Sequence, residues 1–212
     1  MSKIKIAFQG EKGAYSHIAC EEIYKDAEII NCISFEETFR TAFEDEDTKA
    51  IIPLENSLAG RVADIHYLLP KYKLQVYGEH FQKVEHCLLG KQEAELKDIK
   101  YVRSHAQAIG QCQNVIKKNN FKSIISADTA GSAKDLAGSG DKSIAAIASE
   151  LAAKIYGLKV LKKNIEDETG NVTRFLIMGK NVRQPEYENE KKYITTCIFR
   201  LKSEPSALYK SL

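Results

Sequence analysis

The residues able to do chemistry gather on short polar stretches that follow apolar ones. "PLENSLAG" carries Glu55, Asn56 and Ser57, "RSHAQAIGQC" carries Ser104, His105 and Gln107, and "ADTAGSA" carries Thr129. Each stretch stands between a strand-like run and a helix-like run. Its hydroxyls, amides or imidazole therefore meet free backbone N–H groups at a helix start, an arrangement suited to a small anion. Arg174, in "GNVTRF" at 170–175, adds a planar fork that matches a carboxylate. Taken singly, the same residues read as structural: Ser57 and Thr129 as helix caps, His105 as a cap or gap filler, Arg174 as an exposed side chain on a turn entering a strand. Gly10 and Gly13 lack the third glycine of a dinucleotide fingerprint, and no nucleophile elbow appears. Together the stretches support a binder of a small, oxygen-rich anion and specify no reaction.

The elements that must position these groups alternate. "KIKIAFQG", "AEIINCI" and "KAIIPLEN" read as strands, and "SHIACEEIYKDA", "SFEETFRTAFED" and "GRVADIHYLLPKY" as helices between and after them. Ser34 and Glu37 have capping-box spacing. After "KLQVYGEHFQKVEHCLLG", an extended region expected to hold two strands, the pattern restarts. The strands "DIKYVRSH", "KSIISAD" and "KSIAAIA" alternate with the helices "AQAIGQCQNVIKKN", "TAGSAKDLAG" and "SELAAKIYG". The expectation is an α/β protein with mainly parallel sheets in two lobes around a cleft, the motif loops lying at the carboxyl ends of the strands. The first lobe is expected at about 1–77 plus 173–180 and the second at about 78–172. A polar linker follows at 181–192. At 193–212 "YITTCIFRLK" reads as a strand and "EPSALYKSL" as a helix start, too little to bury a core and so the start of a further domain.

Composition excludes several partners. Thirty-one basic and 29 acidic side chains are well mixed for a net charge of +2, which gives no basis for nucleic acid or an anionic membrane. The longest apolar stretch is interrupted by Lys, Ser and Glu, and the N-terminus lacks a signal pattern, so a cytoplasmic protein is expected. Five scattered cysteines and five histidines have no metal-ligand or disulfide spacing, and no metal is expected.

In order and spacing, "GEKGAYS", "IPLENSLAGRVADIHYLLP", "RSHAQAIGQC", "ADTAGSA" and "NVTRF" resemble the motifs of the bacterial prephenate dehydratases over residues 3–180. The tail "TTCIFRLKSEPSALYKSL" resembles the start of the ACT regulatory domain that follows in that family. The resemblance implies a two-lobed fold like that of type II periplasmic binding proteins. It also implies conversion of prephenate to phenylpyruvate in phenylalanine biosynthesis, without a cofactor. Thr173 matches the catalytic threonine. Arg174, Phe175, Asn56, Ser57, Ser104, His105, Gln107 and Thr129 match substrate-binding positions, and Glu55, Gln111 and Asn171 supporting ones. A homodimer or homotetramer, with L-phenylalanine as effector through a complete ACT domain, is implied as well. Ala106 stands where the family often has proline, and Ser206 where ACT domains often have glycine. Arogenate dehydratase and a non-catalytic anion sensor share the fold and remain alternatives.

Overall fold

The computed structural model of the chain describes residues 3–181, 186–193, 199 and 201–211. The first lobe contains β1 (Lys5–Gln9), α1 (Tyr15–Ile23), β2 (Glu28–Cys32), α2 (Phe35–Glu44), β3 (Thr48–Asn56), β4 (Gly60–Arg61), α3 (Ala63–Tyr72) and β5 (Gln75–Lys83). The second contains β6 (Cys87–Gly90), β7 (Tyr101–His105), α4 (Ala106–Gly110), α5 (Gln113–Lys118), β8 (Lys122–Ser126), α6 (Thr129–Gly138), β9 (Ile144–Ala148), α7 (Glu150–Tyr156) and β10 (Lys159–Lys162). The chain then returns as β11 (Val172–Gly179) to the first sheet, whose order is β2-β1-β3-β11-β5, with β4 paired to β3. The second sheet has the order β10-β6-β9-β7-β8.

Parallel pairing is confined to β2-β1-β3 and to β9-β7-β8, and every other pair is antiparallel. The sheets are mixed rather than mainly parallel, because the crossing strands enter each one from the opposite direction. β5 stays in the first sheet through Lys83, so that lobe extends past the expected 77/78 boundary. The crossing falls at 84–86. The expected helix 106–119 is broken at Gln111 and Cys112, and the one expected from Gly60 begins at Ala63 because Gly60 and Arg61 pair back onto β3. Most of the expected strand 193–202 lies outside the described residues. The helix expected after it is α8 (Ala207–Ser211), preceded by Ser206 at φ 62°, the left-handed region that favours glycine.

Each sheet is covered on both faces. In the first, Ile6, Phe8, Ile51 and Phe175 pack with Ala19 and Cys20 of α1, while Ile52, Leu176 and Met178 pack with Phe39 of α2 and Ile65 of α3. In the second, Val102 and Ile147 meet Ile109 and Ile116, and Leu89 and Ala146 meet Leu136 and Ala153. Fully buried Phe8, Phe39 and Phe175 each contribute roughly 1.5–3 kcal/mol.

The lobes are fastened by the loop between β1 and α1. Ser149, the N-cap of α7, accepts from the Ala152 N–H at 3.0 Å and donates to the Gly13 carbonyl at 2.5 Å. Tyr156 Oη donates to the Lys12 carbonyl at 2.9 Å. Gly13 has φ 90°, and a Cβ there would stand 2.7 Å from Ala152 Cα, so only glycine permits this approach. Gly13→Ala is expected to cost about 2–4 kcal/mol, from left-handed backbone strain and overpacking. Urea unfolding checks it, and a loss below about 0.5 kcal/mol would mean that the loop can shift freely.

His17 holds the same loop from behind, its Nδ1 accepting from Gly13 N–H at 3.0 Å while its ring stacks on Phe8. Burial pushes its pKa below the ordinary imidazole value, with Glu21 opposing and Lys12 assisting. A folded-state pKa lying below the unfolded one means that the unfolded chain binds the proton first. Stability is therefore complete above about pH 6.5 and declines as the pH falls through that value toward the folded pKa. Urea midpoints at pH 7.5 and 5.5 should show the decline, with a shallower slope in His17→Gln.

Candidate functional site

A cavity of about 420 Å³ lies between the lobes. Gln9, Gly10, Pro53, Asn56, Thr173 and Phe175 line it from the first lobe, and His105, Gln107, Gln111, Asp128 and Thr129 from the second. Asn171, Val84 and His86 line it from the crossing segments. Among the described residues that line it there is no lysine or arginine.

A β-bulge aims the first-lobe wall. β11 pairs Thr173 with Asn56 and Arg174 with Glu55, then slips by one so that Phe175 faces Pro53. Pro53 and Asn56 are three apart and would point to opposite faces of a regular strand; the extra residue, Leu54, turns both toward the cavity. Pro53, having no N–H to give, is tolerated at such an irregularity.

From this wall an unbroken chain of side-chain hydrogen bonds runs into the second lobe. Asn56 Oδ1 accepts from the backbone N–H groups of Leu58 at 3.1 Å and Ala59 at 2.9 Å, which fixes its amide orientation. Its Nδ2 therefore donates, to Thr173 Oγ1 at 2.9 Å and to Asn171 Oδ1 at 2.6 Å. Asn171, only 1% exposed, donates through Nδ2 to Gln111 Oε1 at 3.1 Å. Gln111 Oε1 lies 2.9 Å from His86 Nε2, and His86 Nδ1 lies 2.9 Å from Tyr15 Oη. Because Thr173 Oγ1 is an acceptor toward Asn56, its own proton is left for whatever occupies the cavity.

Gln111 reaches this chain because its helix is interrupted. Asp167 accepts from the N–H groups of Gln113 and Asn114 at 2.8 and 2.9 Å, capping α5 from a distant loop, and donates its own N–H to the Gln111 carbonyl at 2.7 Å. His105 caps α4, its Nδ1 accepting from Gln107 N–H at 3.3 Å, and stands at the cavity. Thr129 also faces the cavity, but the cap of α6 is Asp128, which accepts from Gly131 N–H.

Four sequence candidates do not face the cavity. Arg174 alternates with Thr173 and Phe175 along β11, so it points to the other face of the sheet, where it pairs with Glu79 at 2.7 Å and Glu55 at 3.2 Å. Both acids are taken up there, and Glu55 with Arg174 forms an outer-face ion pair. Ser57 extends the ladder between β3 and β11, accepting from Val172 N–H at 3.0 Å. Ser104 is fully buried and donates to the Ile147 carbonyl at 2.7 Å, continuing the pairing of β7 with β9. Sequence reasoning missed Tyr15 and His86. Tyr15 stands in the quoted "GEKGAYS" stretch, whereas His86 sits in an extended crossing without any motif. Among the described residues no group of three or more His, Cys, Asp or Glu side chains could hold a metal ion.

Breaking the buried chain should cost more than removing the outer ion pair. Asn171→Leu strips one partner each from the Asn56 amide nitrogen and the Gln111 amide oxygen and is expected to destabilise by roughly 1–3 kcal/mol, against about 1 kcal/mol or less for Arg174→Met. Urea unfolding of both variants checks the order, and equal losses would mean that the chain is not closed in solution.

The family model described as prephenate dehydratase matches residues 6–183. A bifunctional N-acyl-homoserine lactone acylase/prephenate dehydratase of Komagataeibacter europaeus is 40% identical over 98% of this chain and 73% of its own length. An arogenate dehydratase/prephenate dehydratase of Arabidopsis thaliana, named number 2 and chloroplastic, is 38% identical over 100% of this chain and 55% of its own. The chain thus spans little more than half of that plant relative. A solved structure of prephenate dehydratase from Arthrobacter aurescens in complex with L-Phe superposes with a TM-score of 0.80 at 27% identity, over 87% of this chain and 63% of that one. Two lobes, a cavity walled by the Thr173 strand and a family match across both place this chain in the prephenate dehydratase family, a family of lyases.

Proposed function

We propose that the cavity converts prephenate to phenylpyruvate, water and carbon dioxide, with Thr173 as the hydrogen-bond or proton donor to the departing oxygen. The observation that carries this reading is the Asn56 amide donating to Thr173 Oγ1, which leaves the threonine proton directed away from Asn56. The ring carboxylate leaves as carbon dioxide, the electrons of its bond to the ring make the ring aromatic, and the ring C–O bond breaks. The oxygen takes up a proton and departs as water. Aromatisation supplies the driving force, so the protein has to orient the substrate and place one donor. A threonine hydroxyl is a weak acid, and the hydrogen-bonded Asn56 amide supports it without competing for its proton.

A cavity whose described lining holds no lysine or arginine suits this chemistry. A carboxylate clamped by a guanidinium would be stabilised as an anion and would lose carbon dioxide less readily, whereas neutral donors such as Gln107 and Thr129 orient it without that penalty. Arg174 then acts through the fold, holding the Thr173 strand to Glu55 and Glu79. Under the same reading residues 181–192 link to an ACT domain that begins at 193–212, and L-phenylalanine, present in the Arthrobacter complex, is its effector. The working protein is a cytoplasmic homodimer or homotetramer.

Phenylpyruvate formation from prephenate, with arogenate assayed in parallel, tests the reading and separates the two substrates. Thr173→Val is expected to lower kcat by about 100-fold or more with KM little changed. Unchanged turnover in that variant would remove Thr173 from the reaction, and a wild-type chain that binds prephenate without turnover would be a sensor.

A further inference from the structure

His86 belongs to no motif, yet it is 2% exposed and stands where the chain crosses between the lobes. Its backbone N–H donates to Glu166 at 2.9 Å and its carbonyl accepts from Ile165 N–H at 3.0 Å, so its main chain is tied to the second crossing. Both ring nitrogens are engaged, and the state of the ring follows from groups far from it. Leu58 and Ala59 N–H fix the Asn56 amide; Asn56 then fixes Asn171, and Asn171 makes Gln111 Oε1 an acceptor. An acceptor 2.9 Å from His86 Nε2 requires the proton on that nitrogen.

The competing tautomer has a local attraction. Tyr15 Oη lies 2.7 Å from the Glu85 carbonyl as well as 2.9 Å from His86 Nδ1, and with Nδ1 bare both acceptors compete for its single proton. A proton on Nδ1 would let Tyr15 donate wholly to Glu85. It would also set two lone pairs against each other at Gln111, unless Gln111, Asn171 and Asn56 all turned over and abandoned the Leu58 and Ala59 N–H groups. Two backbone hydrogen bonds outweigh one shared proton. Double protonation would satisfy every partner, but burial lowers the pKa of His86, with Gln111 and Glu166 only partly opposing.

The consequence reaches the cavity. With its oxygen held by His86 and Asn171, Gln111 has its NH₂ group at the opposite end of the amide. That nitrogen has no partner among the described residues. No unpartnered side-chain nitrogen or oxygen is buried among them, and Gln111 lines the cavity, so the NH₂ group is open to it. We propose that His86, as the Nε2–H tautomer with its bare Nδ1 facing the Tyr15 hydroxyl, is a positioning residue that locks Gln111 with its NH₂ group toward the cavity as a second neutral donor beside Thr173. The positioning role rests on the dehydratase reading; the tautomer does not.

Two measurements on the full chain decide it. Nitrogen-15 NMR of the histidine rings at pH 7, with His86→Gln identifying the signal, should show His86 neutral and protonated at Nε2; protonation at Nδ1, or at both nitrogens, overturns the proposal. In prephenate turnover, His86→Leu is expected to lose roughly 10- to 100-fold in kcat, and His86→Gln, which returns an amide N–H near the Nε2 position, to recover part of it. The double variant His86→Leu with Gln111→Leu should be no slower than Gln111→Leu alone. Fully multiplicative losses would overturn positioning through Gln111. A wild type that turns over neither prephenate nor arogenate would overturn the dehydratase reading and the positioning role with it, while the ring signals still report the tautomer.

Discussion

The cleft depends on two backbone N–H groups in the turn after β3. By holding Asn56 Oδ1, Leu58 and Ala59 set which end of one amide faces outward, and every hydrogen bond from Thr173 to His86 inherits its direction from that choice. An amide chain has only two consistent polarities, and mixtures leave donors facing donors. A turn that looks peripheral therefore determines whether Thr173 gives or receives a proton at the cavity. The turn is itself held in place: Gly60 and Arg61 pair back onto Asn56 and Glu55, and Ser57 bonds across to β11.

The second constraint is mechanical. A cavity shared by two sheets keeps its shape only if the sheets keep their spacing. The chain crosses twice, at 84–86 and 163–171, and the crossings bond to each other where Val84 N–H donates to the Asn171 carbonyl. Across the cavity, Gly13 touches Ala152 and accepts from Ser149. Asn171 and His86 are thus on the crossings themselves, and the polar chain is stretched between two fastened points. Relative motion of the lobes would have to break it, so order in the hydrogen bonds and order in the lobes are the same property.

Much of this is legible in the sequence. Alternating apolar runs mark nearly all the strands and helices of both lobes, and the strand-to-helix loops that carry polar groups do converge on the cleft. Asn56, His105, Gln107, Gln111, Thr129, Asn171, Thr173 and Phe175 all line it. What the sequence hides are properties that no local pattern carries. The chemistry of Arg174 fits a substrate carboxylate, but strand alternation sends it outward, and the fork that would clamp a substrate clamps Glu55 and Glu79. Ser104 has the chemistry of a ligand and serves as a rung of the sheet. The break at Gln111 arises from Asp167, fifty-six positions away by their numbers, which no helical periodicity can announce. His86 is invisible for the same reason: its partners come from three separate parts of the chain.

Under the proposed dehydratase reading, the absence of cations among the described lining residues ties the fold to the chemistry as the Asn56–Thr173 hydrogen bond does. A site meant only to bind a dicarboxylate would gain from an arginine or lysine, since charge-assisted bonds are about twice as strong as neutral ones. A site that must let one carboxylate become neutral carbon dioxide gains nothing from strengthening the ground state, because uniform binding does not raise kcat. Neutral amides and hydroxyls, aimed by a chain whose polarity is fixed at its far end, give orientation without that stabilisation. That aim starts at the turn after β3, whose Leu58 and Ala59 N–H groups lie outside the cavity lining. The outward turn of Arg174 is then part of the same logic: the strand keeps a strong cation close enough to tie down Glu55 and Glu79, while the sheet itself stands between that charge and the cavity.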